Sequence, residues 1–150
     1  MGTEAEVKVA LAFAQGQKLA VLSTVSPANE PESALMGIAV TDEFEIIFDT
    51  VKSSRKYPNL RGNPRVALVI GCSSEKTLQY EGTAEELGAH QLARYLPVYF
   101  AAFPDGPERQ SWQGITYFVV HPIWLRYCDY DQRPPWIREF RWPAETAAHL

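Results

Sequence analysis

Between Thr50 and Lys56 the chain reads Thr-Val-Lys-Ser-Ser-Arg-Lys, placing three hydroxyls and three cations within seven residues. Lys52, Arg55, Lys56, Arg61 and Arg65 fall in a fourteen-residue stretch without a single Asp or Glu, so that stretch carries +5. The remainder holds nine cations against eighteen acids, a charge of −9. A short helix is predicted here, with Ser53 or Ser54 as its N-cap and Gly62 at its close. The first-turn N–H groups of a helix are unpaired and its dipole is positive there, so acids are favoured in that turn and bases are not. Arg55 and Lys56 reverse the preference. A polyanion between them accounts for this, and a phosphate held by Thr50, Ser54, Arg55 and Lys56 with backbone amides fits best. A solvated basic surface is the competing account.

Other chemistries lack their residues. No Gly-x-Ser-x-Gly turn presents a nucleophile. His90, His121 and His149 are scattered and read as ordinary surface or core histidines, with no metal-ligand spacing among them. Cys72 and Cys128 stand alone, which predicts two buried free thiols and no disulfide framework. Walker and Gly-x-Gly-x-x-Gly loops are absent, which argues against nucleoside triphosphate chemistry and a dinucleotide fold.

Several short elements must position the basic run. Val7, Leu11 and Ala14 recur at helical spacing, predicting a helix from Glu4 to Gln15 that ends at Gly16. Strands are expected over Leu19 to Val25, Glu32 to Val40 and Glu45 to Asp49, joined by tight turns as an antiparallel meander. Pro58, inside the short helix, is expected to keep it brief or partly 3₁₀. Arg65 to Gly71 is apolar at successive positions and reads as a central strand buried on both faces. Thr77 to Glu86 is the next strand, Gly88 to Phe100 a helix, Ile115 to Asp129 a long strand interrupted near Pro122, and Ile137 to Trp142 a last one. About six strands and three helices result, with Ile137 to Trp142 as the further candidate strand. The expected fold is mainly β with peripheral helices, a small antiparallel barrel closed on itself.

At 150 residues the chain is one domain, spanning 1–150. With 46% apolar and 21% charged residues it has globular composition. No apolar run reaches the roughly 20 residues a bilayer needs, and Glu4, Glu6 and Lys8 break any secretory pattern, so a cytoplasmic protein without a membrane partner is expected. A net charge of −4 argues against nucleic acid as a partner. The aromatic C-terminal segment, Trp124, Tyr127, Tyr130, Trp136, Phe140 and Trp142, is expected to pack in the core or at an interface rather than on a ligand.

The string Ile47-Phe48-Asp49-Thr50, Ser54-Arg55-Lys56, Asn59-Leu60, Asn63-Pro64-Arg65-Val66-Ala67-Leu68 also resembles a family signature, Phe-x-Thr, Ser-x-Lys, Asn-Leu, Asn-Pro-Arg-x-Ala-Leu. It is that of the pyridoxamine 5′-phosphate oxidase-like, FMN-binding split-barrel family. The resemblance implies a homodimer of six-stranded antiparallel split barrels with one FMN at each end of the subunit interface. It places Thr50, Ser54, Arg55 and Lys56 on the FMN phosphate and Gln79 near the ribityl chain or phosphate. The backbone from Leu35 through Met36 to Gly37 would lie against the isoalloxazine ring, with Gly37 allowing close approach.

Two departures accompany the resemblance. Ala34 and Ala39 stand where the B6 oxidases carry an Arg and a Lys, and Leu125 to Asp129 replaces their Arg-x-His substrate motif. The resemblance is therefore to the family and not to the B6 oxidase itself. The expected function is an FMN-dependent oxidoreductase acting on a small molecule or a reduced nicotinamide, the flavin supplying the chemistry and the protein its setting. The alternative is a non-catalytic split-barrel protein that binds FMN, the deazaflavin F420 or another phosphorylated ligand, or none.

Overall fold

The chain enters the fold through α1 (Glu4–Gln15), whose start is fixed by a reciprocal cap. The Thr3 hydroxyl accepts from the Glu6 N–H at 3.3 Å, and the Glu6 carboxylate accepts from the Thr3 N–H at 2.7 Å. The computed structural model describes residues 2–142, so His149 lies outside the described residues. After Gly16, β1 (Leu19–Val25) and β2 (Pro31–Gly37) form a hairpin, with Leu22 opposite Ala34. Asn29 takes the positive φ of 63° that this turn requires.

The strand expected over Glu32 to Val40 is in fact two. It breaks at Ile38, whose N–H donates to the Lys18 carbonyl at 2.9 Å, and resumes as β3 (Ala39–Val40) on a different partner, β4 (Ile46–Val51). The expected meander is therefore not formed. Then come α2 (Lys56–Gly62), β5 (Arg65–Ile70), β6 (Lys76–Glu86), α3 (Ala89–Ala102), the single-turn α4 (Gly106–Arg109), β7 (Ile115–Asp129) and β8 (Trp136–Arg141). Among the described residues there are eight strands and four helices where about six and three are expected, because the strand over Glu32 to Val40 divides, Ile137 to Trp142 is counted as β8 and the single-turn α4 is added.

All pairings are antiparallel, in the order β2-β1-β5-β6-β7-β4-β3, with β8 beside the second half of β7. The sheet curls until β2 and β4 approach one another, but no ladder joins them. The barrel is split rather than closed. Inside the curl lie Leu22, Met36, Phe48, Leu68, Tyr80, Phe118 and Leu125, with Ala10 and Ala14 of α1 as a plug. A second apolar cluster forms outside, where Tyr95, Leu96 and Tyr99 of α3 cover Ile47 and Val119.

Strand β5 corrects another expectation. It is central in the sheet, yet only Val66, Leu68 and Ile70 are buried while Arg65, Ala67 and Val69 are exposed. Antiparallel sheets commonly cover one face and leave the other bare, and this strand follows that rule despite its apolar composition. Cys128 is buried as expected, whereas Cys72, on the loop after β5, is exposed.

The interruption near Pro122 is a bulge. The register passes from Glu81 opposite Trp124 to Gly82 opposite Pro122, leaving Ile123 unpaired by register. A Cβ at Gly82 would lie 2.5 Å from the His121 carbonyl oxygen, so this crossing of β6 and β7 requires glycine. Beside it the buried Tyr80 hydroxyl lies 2.8 Å from the Phe44 carbonyl and 3.0 Å from that of Val120. Burial holds that phenol well above its ordinary pKa, so it remains a donor.

Candidate functional site

Strand β4 delivers Thr50 to the mouth of the barrel. Alternation along β4 puts it on the inner side with Ile46 and Phe48, and it is buried. The chain then leaves the sheet through Lys52, whose N–H donates to the Gly114 carbonyl, and turns where the Ser54 N–H donates to the Val51 carbonyl. This turn brings the two hydroxyls together, Thr50 Oγ1 donating to Ser54 Oγ at 2.9 Å.

Ser54 is not the N-cap of α2. Arg55 takes that position with helical backbone and no side-chain cap. The later start also explains why Pro58 does no harm. It is the third helical residue, where the N–H has no intrahelical acceptor to lose, and α2 is a regular α-helix. With seven residues, α2 supplies little dipole. The attraction for an anion here rests on the side chains.

Those side chains flank a small cleft of about 50 Å³ between β2 and the start of α2, lined by Thr24, Glu32, Ala34, Arg55 and Lys56 among others. Lys56 is half-buried, and burial draws its ammonium below the ordinary pKa. Arg55 is 79% exposed at its side chain but forms an ion pair at 2.8 Å with Glu32, whose side chain is only 14% exposed. Asn59, 3% exposed, donates to the other Glu32 oxygen at 2.8 Å and to Thr24 Oγ1 at 3.1 Å. Arg61 is engaged elsewhere, 3.2 Å from Glu86, which also accepts from Tyr57 and Thr116. The isolated basic run of the sequence is thus partly neutralised by acids from β2 and β6. Nothing in the spacing of Glu32 or Glu86 marks them for this.

The remaining candidates stand on the other face of the sheet. Met36 turns into the core, so Leu35 and Gly37 face outward. Register places Leu35, Val21, Val69, Gln79 and Arg126 in one cross-strand row over β2, β1, β5, β6 and β7. Gln79 therefore has Val69 and Arg126 as neighbours, while Thr50 faces inward. Leu35 is 63% exposed and Val69 45%, so the row begins as an uncovered apolar strip.

Space over Gly37 is taken by Phe103, whose ring a Cβ there would meet at 2.9 Å. The close approach that glycine permits is to this ring. Phe103 in turn packs on Tyr99 with centroids 5.1 Å apart. The Tyr99 hydroxyl accepts from Arg109 at 3.3 Å, and Arg109 pairs with Asp49 at 2.9 Å. Of the C-terminal aromatics, Tyr127 packs edge-on to Trp136 at 5.6 Å and Phe140 to Trp142 at 6.4 Å, whereas Tyr130 is exposed, against expectation.

A roomier cleft of about 550 Å³ lies between α3 and the β3–β4 turn, lined by Gln15, Thr41, Glu45, Arg94 and Tyr95 among others. Its buried carboxylate, Glu45, is saturated: Tyr95 donates at 2.8 Å and Arg94 at 3.3 Å, and His121 Nδ1 lies at 3.1 Å. Burial first, and then Glu45, push the Tyr95 phenol up to about 12. The other nitrogen of His121 is 2.9 Å from Glu85, a contact that holds the Glu85 carboxyl below its ordinary range. The carboxylate of this cleft is thus satisfied within the chain.

The family model for pyridoxamine 5′-phosphate oxidase matches residues 7–129, from α1 to the end of β7 and across the whole basic run. The chain belongs to this family. A pyridoxine/pyridoxamine 5′-phosphate oxidase of Rubrobacter xylanophilus is 30% identical over 93 residues, covering 61% of this chain and 41% of that protein. One from Burkholderia lata is 28% identical over 125 residues, 76% of this chain and 56% of that one. The chain thus spans about half the length of these pyridoxamine-phosphate oxidase relatives. Among solved structures, a heme binding protein from Mycobacterium smegmatis superposes with a TM-score of 0.76 at 13% identity, over 94% of this chain and 59% of that one. A pyridoxamine 5′-phosphate oxidase-related, FMN binding protein from Nostoc punctiforme gives 0.64 at 12%, over 92% and 95%. The fold is the split barrel of the pyridoxamine 5′-phosphate oxidase family.

Proposed function

We propose that the protein is an FMN-dependent oxidoreductase that acts in the cytoplasm on a small molecule or a reduced nicotinamide. One observation carries this reading. The Thr50–Ser54 hydroxyl pair closes the turn after β4, and the next two residues in the chain bring an exposed guanidinium and a half-buried ammonium to the cleft beside β2. The donor set fits a phosphate: two hydroxyls can turn toward its oxygens, Arg55 offers a planar fork, and an anion beside Lys56 offsets the burial that disfavours its charge. When bound, FMN supplies the hydride and electron transfer. The chain's part is to hold the phosphate through Thr50, Ser54, Arg55 and Lys56 and to keep water from the ring along the sheet.

A homodimer belongs to this proposal. Gln79 and the Leu35–Gly37 backbone lie on the outer face, so they join the site when a second copy covers that face. The exposed strip of Leu35, Val21 and Val69 suits such a cover. Replacing Leu35 by Asp is expected to shift the protein from dimer to monomer in analytical ultracentrifugation without unfolding it, since Leu35 is exposed within the chain. A dimer that persists unchanged speaks against this face.

Ala34 and Ala39 favour a second reading, a non-catalytic protein that uses the same mouth for FMN, F420 or another phosphorylated ligand. The visible spectrum of the purified protein and the mass of what acid releases separate these. Flavin bands with FMN released support the first reading. A band at shorter wavelength points to F420, and a colourless protein that FMN does not stabilise against heat removes the flavin. An intense Soret band would point to haem instead, although His121 has both ring nitrogens against carboxylates.

A further inference from the structure

The phosphate mouth already contains an anion that belongs to the chain. Glu32 reaches it from β2, and it is not a surface carboxylate that happens to swing toward an arginine. Its side chain is 14% exposed. One oxygen accepts from Asn59, a residue 3% exposed that is itself tied to the buried Thr24 hydroxyl. The other oxygen takes the ion pair with Arg55. Asn59 and Thr24 are fixed by α2 and β1, so the carboxylate stays where it is whether or not Arg55, at 79% exposure, remains on it. Glu32, Arg55 and Lys56 share the lining of the same 50 Å³ cleft.

We infer that Glu32 sets how much negative charge a ligand can bring to Arg55 and Lys56, its carboxylate competing with the ligand's phosphate for Arg55. The inference rests on the reading of this mouth as a phosphate site. Two cations and one fixed anion leave a net single positive charge for the incoming group. A phosphate dianion must take Arg55 from Glu32 and then remain beside an anchored carboxylate, a like-charge contact in a partly desolvated place. Uncharged parts of the ligand feel none of this. Glu32 is thus a specificity-determining residue, acting against phosphate and not against the ring system.

The test is a fluorescence titration of the full-length protein with FMN and, separately, with riboflavin, which lacks the phosphate. The variants are E32Q, which keeps an acceptor for Asn59, and E32S, which removes the carboxylate by shortening; circular dichroism confirms that each is folded. The expected result is FMN binding tightened about tenfold or more in both variants, with riboflavin unchanged and with the gain lost when R55A is added. If FMN affinity is unchanged or weaker in both variants while R55A/K56A weakens it, Glu32 only supports Arg55: the inference fails and the phosphate site stands. Equal tightening of FMN and riboflavin overturns it as well, placing the effect at the ring. If FMN and riboflavin bind alike to the wild type and to both variants, the phosphate site falls and the inference with it.

Discussion

The double variant R55A/K56A is expected to lose roughly 3 kcal/mol or more of FMN affinity, because each charge-assisted contact to phosphate is worth ~1.5 to 3 kcal/mol. Its fold should survive. The Arg55–Glu32 pair is exposed on the arginine side, and such pairs contribute about 0 to 1 kcal/mol. Lys56 is half-buried, so its removal costs some packing of the aliphatic stem, but neither residue belongs to the core cluster. Riboflavin provides the internal control, since it should bind the variant as it binds the parent. An FMN affinity that does not move would detach the basic run from the cofactor and return Arg55 and Lys56 to the solvated surface.

Leu68→Ala is expected to lower folding stability by ~2 to 5 kcal/mol. Leu68 is 2% exposed and stands between Leu22 on β1 and Tyr80 on β6, at the middle of the inner face. Its neighbours are held by ladders on both sides and cannot collapse far into the space, so the larger part of that range applies. Urea unfolding monitored by circular dichroism gives the value, and a loss below about 0.5 kcal/mol would show that the inner face is not packed around this residue.

The bounds of α1 and β1 were readable because helical and alternating patterns and a terminal glycine agreed with one another there. The long β7 was readable with its interruption, since Pro122 cannot donate to a ladder. The division at Ile38 was not readable, because it is completed by pairing with Lys18 and with β4, and Gly37 alone does not announce a change of partner. Burial of β5 on one face only is likewise a property of the curled sheet, not of five apolar residues in a row.

The site divides in the same way. Thr50, Ser54, Arg55 and Lys56 are neighbours in sequence, and the turn after β4 keeps them neighbours in space. Glu32 and Asn59 come from two elements whose approach is tertiary, so no spacing announced them. Gln79 and Leu35 share a row with each other rather than with Thr50, which only the strand order reveals.

Phe103 stands on the outer face of the sheet, over Gly37. A flat molecule set down on Gly37 must first swing that benzyl group aside, and the benzyl group leans on Tyr99. Tyr99 steadies Arg109, and Arg109 grips Asp49, the residue just before Thr50. One unbroken chain of contacts thus runs from the space over Gly37 to the strand end that holds Thr50.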